Sequence, residues 1–205
     1  MMNDVLKNVE ELYSSNIEKF GINSKAVGWN TEDCHNLRFD KLCAELPKNV
    51  AITIADLGCG YGALYDYLLS KQVNVQEYHG YDISQKMLDE CNNNLNSKTV
   101  LKLLNSAKLQ HKCDYVFASG IFNNICSANK REWFEYVLNT LDDMNEYSEK
   151  GFAFNLLTNQ VDFMREDLFY ADPTFFFNLC REKYSRKVSL YHNYDLWEWT
   201  IIVSK

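Results

Sequence analysis

"TIADLGCGYGALYDYL", residues 53–68, decides how the rest of the chain is read. Gly58, Gly60 and Gly62 stand at alternate positions, after an apolar β-branched run and before a helical pattern. A strand, a glycine turn and a helix in that order bring bare backbone and a helix N-terminus up to a ligand. A dinucleotide asks for G-x-G-x-x-G with its pyrophosphate on the helix. Here the third glycine arrives one residue early, and an acid, Asp56, sits two positions before the first. A carboxylate there lies close to where phosphates belong, so a ligand without phosphates is the competing reading.

The same logic extends outward. "VAITIADL" (50–57) has the composition of a strand buried on both faces. "VNVQEYHGYDI" (73–83) is a second strand, and Asp82 at its end stands where a ribose-binding acid belongs for either ligand. Ser84 caps the helix that follows. "TVLKLL" (99–104) and "CDYVFAS" (113–119) are strands three and four. A helix over 129–144, a fifth strand "KGFAFNLLT" (150–158) and a helix over 173–184 continue the alternation. Strands alternating with helices imply right-handed parallel crossovers. The ending differs: "KVSLYHNY" and "LWEWTIIVSK" are two strand-like stretches with only a residue or two between them, near Asp195, which permits only antiparallel pairing. Upstream, residues 4–20 form a helix closed by Gly21, and Thr31 caps a second one that runs toward Pro47. The expected architecture is α/β: a doubly wound, mostly parallel seven-stranded sheet with an antiparallel C-terminal hairpin and helices on both faces. Residues 1–46 form a helical cap and 47–205 the core of a single domain.

Composition narrows the partners. The 205 residues are 46% hydrophobic with a formal charge of −7, a globular chain with an acidic surface that repels nucleic-acid backbones. The densest basic stretch, "REKYSRK" (181–187), reads as a solvated helix end. Seven cysteines, an odd number without a CxxC pair, fit neither a disulfide framework nor a zinc knuckle. With no leader-like start and no run of ~18 apolar residues, the expectation is a cytoplasmic protein with no membrane and no nucleic-acid partner.

"ADLGCGYG" resembles the glycine-rich motif of the class I S-adenosylmethionine-dependent methyltransferases, small-molecule type, and "YHGYDIS" resembles their second-strand motif. "FASGIFNN" and "GFAFNLLT" occupy their fourth- and fifth-strand positions, and the closing hairpin is similar to their reversed last strand. The resemblance covers residues 26–205 and implies S-adenosylmethionine as cofactor. It carries a sulfonium and an ammonium but no phosphate, so an acid beside the turn is favourable. The resemblance implies cofactor contacts at Asp56, Gly58, Cys59, Gly60, Gly62, Asp82, Ile83, Met87, Ser106 and Ser119. Asp82 accepts from both ribose hydroxyls, and Ile83 and Met87 sandwich the adenine. Two departures stand out. The stretch after strand three, "LLNSAKL", lacks the acid that binds the adenine amine, leaving Ser106 or a carbonyl. Strand four ends "ASGIFNN", with neither an amine-type signature nor the acid of a magnesium-dependent type, so no metal is expected.

The acceptor is expected to be a small molecule methylated at oxygen, in a pocket beyond the carboxyl ends of the strands. Trp29, Phe122, Asn123, Asn155 and Tyr170 are its candidate lining. Arg38 is placed to clamp the cofactor carboxylate or an anionic substrate, and His192 is the candidate base. A nicotinamide-dependent oxidoreductase and a non-catalytic cofactor-binding module are the alternatives.

Overall fold

A computed structural model describes residues 4–28, 31–95 and 100–205. In chain order the elements are α1 (Asp4–Phe20), a 3-10 turn (Ser24–Val27), α2 (Glu32–Leu42), β1 (Ile52–Leu57), α3 (Ala63–Ser70), β2 (Val75–Asp82) and α4 (Gln85–Leu95). Then come β3 (Val100–Asn105), β4 (Cys113–Ala118), α5 (Lys130–Tyr147), β5 (Ser148–Thr158), β6 (Tyr170–Ala171), α6 (Pro173–Lys183), β7 (Lys187–Tyr191) and β8 (Glu198–Ser204).

The sheet runs β3-β2-β1-β4-β5-β8-β7, with the two-residue β6 beside β5. β1 pairs in parallel with both β2 and β4, while β8 runs antiparallel to β5 and β7. Chain order reverses direction between β1 and β4, and the crevice at that switch point is where an open α/β sheet takes a ligand.

Alternate side chains separate the two faces. Ala55 and Leu57 of β1, Phe152, Phe154 and Leu156 of β5, and Trp199, Ile201 and Val203 of β8 share one core with α5, α6 and the start of α1. Ile52 and Ile54, Phe117, Ala153 and Ile202 face the other way, into a core with α2, α3 and α4. The caps follow the sequence: Thr31 Oγ1 accepts from Cys34 N at 3.2 Å, Ser84 Oγ from Met87 N at 3.3 Å and Asp172 Oδ1 from Phe175 N at 2.9 Å.

The closing hairpin departs from expectation in its turn. Residues 192–197 separate β7 from β8, six rather than one or two. Leu196 N donates to Tyr194 O at 2.8 Å, and the Trp197 carbonyl takes Thr158 N at 3.0 Å. Residues 194–197 are thereby drawn into a turn against β5 and cannot pair with β7.

Candidate active site

At the switch point a cleft of about 880 Å³, open mouth included, is lined from β1, the glycine turn, the ends of β2, β3 and β4, and by side chains of α1, α2 and α5. The glycine turn is shaped by its backbone. Gly58, Gly60 and Gly62 have φ of +76°, +53° and +86°, the left-handed region that glycine enters without strain. Space forbids a side chain as well: a Cβ on Gly58 would lie 2.1 Å from Ile121 Cγ2, and one on Gly62 2.6 Å from Leu95 Cδ1. Gly58 thus lets the loop after β4 close on the turn, and Gly62 seats α3 against α4.

The turn is tied to β2. Tyr81 O accepts from Gly58 N at 2.7 Å and Cys59 N at 3.0 Å. Asp82 completes the link, accepting Gly60 N on Oδ2 at 2.9 Å and Ser84 N on Oδ1 at 2.8 Å. Burial pushes its carboxyl up to about 6 against those donors. Asp56, 3% exposed, accepts Tyr78 Oη at 2.5 Å, and burial lifts it to about 7, with Asp82 adding to the rise. Two carboxylates of raised affinity for protons therefore face one cleft. A cation placed there would favour the ionised form of both.

Ile83 and Met87 also line the cleft, as do Ser106 and Ser119. Ser106 Oγ donates to Lys108 O at 2.8 Å and accepts Lys108 N at 3.0 Å, so its hydroxyl hydrogen is committed to its own turn. Ser119 Oγ is buried with no hydrogen-bond partner. Ser119 also lines the cleft, so its unpaired hydroxyl lies beside the space a ligand would fill. Cys59 lines the turn, but its contact with Cys91 and then burial hold the thiol well above its usual range, so it stays neutral.

The acceptor-side expectations divide differently. Trp29 lies outside the described residues. Arg38 does not line the cleft; Nε donates to Glu198 Oε1 at 3.0 Å and Oε2 at 2.9 Å, and Nη2 to Oε1 at 2.8 Å. The expected ligand clamp is thus a buried internal pair, 7% and 1% exposed. Asn123 and Asn155 join it, their Nδ2 groups donating to Glu198 at 3.4 and 3.3 Å. Their Oδ1 atoms accept Leu157 N at 3.2 Å and Gly120 N at 2.7 Å. These two asparagines brace the loop after β4 instead of lining the cleft. Phe122 is fully buried, its carbonyl accepting Trp133 Nε1 at 2.9 Å. Tyr170 Oη accepts Arg165 N at 3.3 Å, away from the cleft. His192 is exposed in the hairpin turn and is also absent from the lining.

Four titratable lining groups, His35, Tyr13, Tyr61 and Tyr136, were not among the residues the sequence singled out. His35 on α2 is 7% exposed, and burial, with Arg38 adding to it, brings its imidazole down to about 4. Its spacing from Phe39 and Leu42 on one helical face was the available signal. Tyr13 on α1 and Tyr136 on α5 are both pushed up to about 12 by burial, with Asp82 contributing. Nothing in their spacing separates them from ordinary core tyrosines.

Residues 55–144 match a methyltransferase-domain family. A Mycobacterium tuberculosis (strain ATCC 25618 / H37Rv) protein named as a methyltransferase, Rv1506c, is 41% identical over 155 residues, 75% of this chain and 93% of that one. Magnesium protoporphyrin IX methyltransferase from Synechocystis PCC 6803, solved with bound SAH, superposes with a TM-score of 0.65 at 12% identity, covering 97% of this chain and 95% of that one. Human N-acetylserotonin methyltransferase, solved with SAM, gives 0.66 at 10% identity, over 100% of this chain and 60% of that one.

Proposed function

We propose, from the premise that this chain belongs to the methyltransferase family, that it moves a methyl group from S-adenosylmethionine to a small-molecule oxygen. The observation that carries the reading is the pairing of Asp56 and Asp82 at one glycine turn, carboxylates that gain from a cationic ligand and lose from a phosphate. The residues fit that cofactor. Asp82 is the acceptor for the ribose hydroxyls, and Asp56 favours the ammonium end directly or through water. Ile83 and Met87 offer apolar faces to the adenine, and the orphan Ser119 hydroxyl offers a further polar contact.

When bound, S-adenosylmethionine supplies a methyl carbon already activated by its sulfonium. The chain then has to hold an acceptor roughly 3 Å away, aligned and dry. Leu6, Val9 and Tyr13 of α1 and Val27 of the 3-10 turn close over the cleft and keep water out. Residues 1–46 serve as the cap in this reading. No lining residue is a strong base at neutral pH: His35 is held down to about 4, and the buried tyrosines keep their protons. Positioning and desolvation supply most of the rate, and the proton shed by the hydroxyl as the oxygen–methyl bond forms passes to water or to the neutral His35 imidazole. His192, the base expected from sequence, is exposed in the hairpin turn and does not line the cleft.

Oxygen rather than nitrogen rests on the ending of β4, "ASGIFNN", which has no amine-type signature. Among the described residues no group of three or more His, Cys, Asp or Glu is arranged to hold a metal. No described helix is long and apolar enough to cross a membrane. All seven cysteines are free, which suits a cytoplasmic location. The test is transfer of labelled methyl from S-adenosylmethionine to a panel of hydroxylated small molecules. Label appearing in an oxygen ether supports the reading; label found only on nitrogen or on macromolecules contradicts it.

A further inference from the structure

We propose that the reacting end of the methyl acceptor is an uncharged hydroxyl on an apolar body, and that carboxylate and phosphate acceptors are excluded by the charge inventory of the cleft. This rests on the methyltransferase reading above. A nucleophile must come within roughly 3 Å of the transferred carbon, so the acceptor's reacting end shares the enclosure that holds the cofactor.

That enclosure contains two carboxylates, Asp56 and Asp82, and no Lys or Arg among the described lining residues. The basic side chain that the sequence offered to an anion, Arg38, is engaged by both oxygens of Glu198 at 2.8–3.0 Å. His35, the one imidazole among the described lining residues, is neutral at pH 7 because burial and Arg38 hold it down to about 4. The remaining polar groups include three phenols. Tyr13, Tyr61 and Tyr136 are each pushed up to about 12, by burial first and with nearby acids contributing. They can donate to a neutral oxygen but cannot neutralise a charge.

An anion brought into this space would meet like charges in a poorly solvated site with no counter-charge from the described lining residues. An ammonium would meet favourable charges but has no lone pair to methylate, so an amine would have to arrive neutral. The apolar walls from Leu6, Val9, Phe39 and Ile121 suit the body of a hydroxylated aromatic or aliphatic molecule.

The inference is tested by calorimetric titration of the full-length protein, saturated with S-adenosylhomocysteine at pH 7.5, with 2-naphthol and separately with 2-naphthoate. The neutral phenol is expected to bind at least tenfold tighter. In Tyr13→Lys, which adds a cation to the lining, the gap is expected to close by tenfold or more. Naphthoate binding as tightly as naphthol to the wild-type protein overturns the inference, as does failure of naphthol to bind, while the methyltransferase reading stands. Failure of S-adenosylhomocysteine itself to bind overturns that reading and the inference with it. If Tyr13→Lys does not fold, the wild-type pair alone decides.

Discussion

Asp56 sits behind the glycine turn with 3% of its surface exposed, and burial lifts its carboxyl to about 7 from an unfolded value of 3.8. Between those values the folded protein keeps a proton that the unfolded chain releases. Stability of the ligand-free protein therefore falls as pH rises through that window and stays lower above it. Asp56→Asn removes this cost, so at pH 8 the ligand-free variant should gain on the order of 2 kcal/mol in thermal unfolding. The same substitution should reduce the pH dependence of cofactor affinity to the part that Asp82, itself raised to about 6, contributes. In the wild-type protein S-adenosylmethionine should bind several-fold tighter at pH 8 than at pH 5.5, because its positive groups favour the ionised carboxylate. Titration in buffers of different ionisation heat should show the proton released. Asp82 has a second duty, as acceptor for Gly60 N and Ser84 N. Asp82→Ala should weaken cofactor binding by about 1.5–3 kcal/mol, and it should also lower the melting temperature, unlike Asp56→Asn. Both acids were legible in the sequence, because their positions follow from a strand end and a glycine turn. His35, Tyr13 and Tyr136 were not. Their place in the cleft comes from how α1, α2 and α5 cross the sheet; the spacing of His35 from Phe39 and Leu42 marks a buried helical face but not that crossing.

The glycine turn and its neighbours form a packed unit in which each element limits the others. Gly58→Ala would drive a methyl into Ile121 Cγ2, and its φ of +76° adds backbone strain. The expected loss is about 1–3 kcal/mol of stability, with the loop after β4 displaced from the cleft. Denaturant unfolding and cofactor titration on the same variant check both parts. A second joint lies at Glu198 on β8, where α2, the loop after β4 and β5 meet through Arg38, Asn123 and Asn155. Burial raises its carboxyl even though Arg38 pulls the other way. Glu198→Ala should cost about 3–5 kcal/mol by leaving a buried guanidinium uncompensated. Arg38→Met with Glu198→Met should recover much of that loss. Amide exchange at Gly120 should quicken in the single variant, since Asn155 Oδ1 holds that N–H at 2.7 Å. Arg38, Asn123 and Asn155 each looked like ligand contacts in the sequence. They satisfy one another instead, through a glutamate at the start of β8 that lies 160 positions from Arg38. Pairing over such a separation is set by the fold, and composition gives no sign of it.

Across the molecule, the legible part was the alternation of strand and helix and its antiparallel finish. β-branched runs buried on both faces, glycine punctuation and helix caps are local chemistry, and they agreed with the sheet order β3-β2-β1-β4-β5-β8-β7. The hairpin turn was misjudged because Trp197 pairs with Thr158 of a different strand, a contact invisible in the local pattern. The switch point between β1 and β4 follows from that order, so the place of the cleft was legible even where its outer lining was not. The cleft carries two acids and, among its described lining residues, no Lys or Arg, on a chain of net charge −7. That balance separates a sulfonium cofactor from a pyrophosphate one. Isothermal titration of the ligand-free protein with S-adenosylmethionine, S-adenosylhomocysteine and NAD measures the difference directly. Binding of both adenosyl compounds without detectable binding of NAD is the predicted result; NAD binding alone would contradict the account.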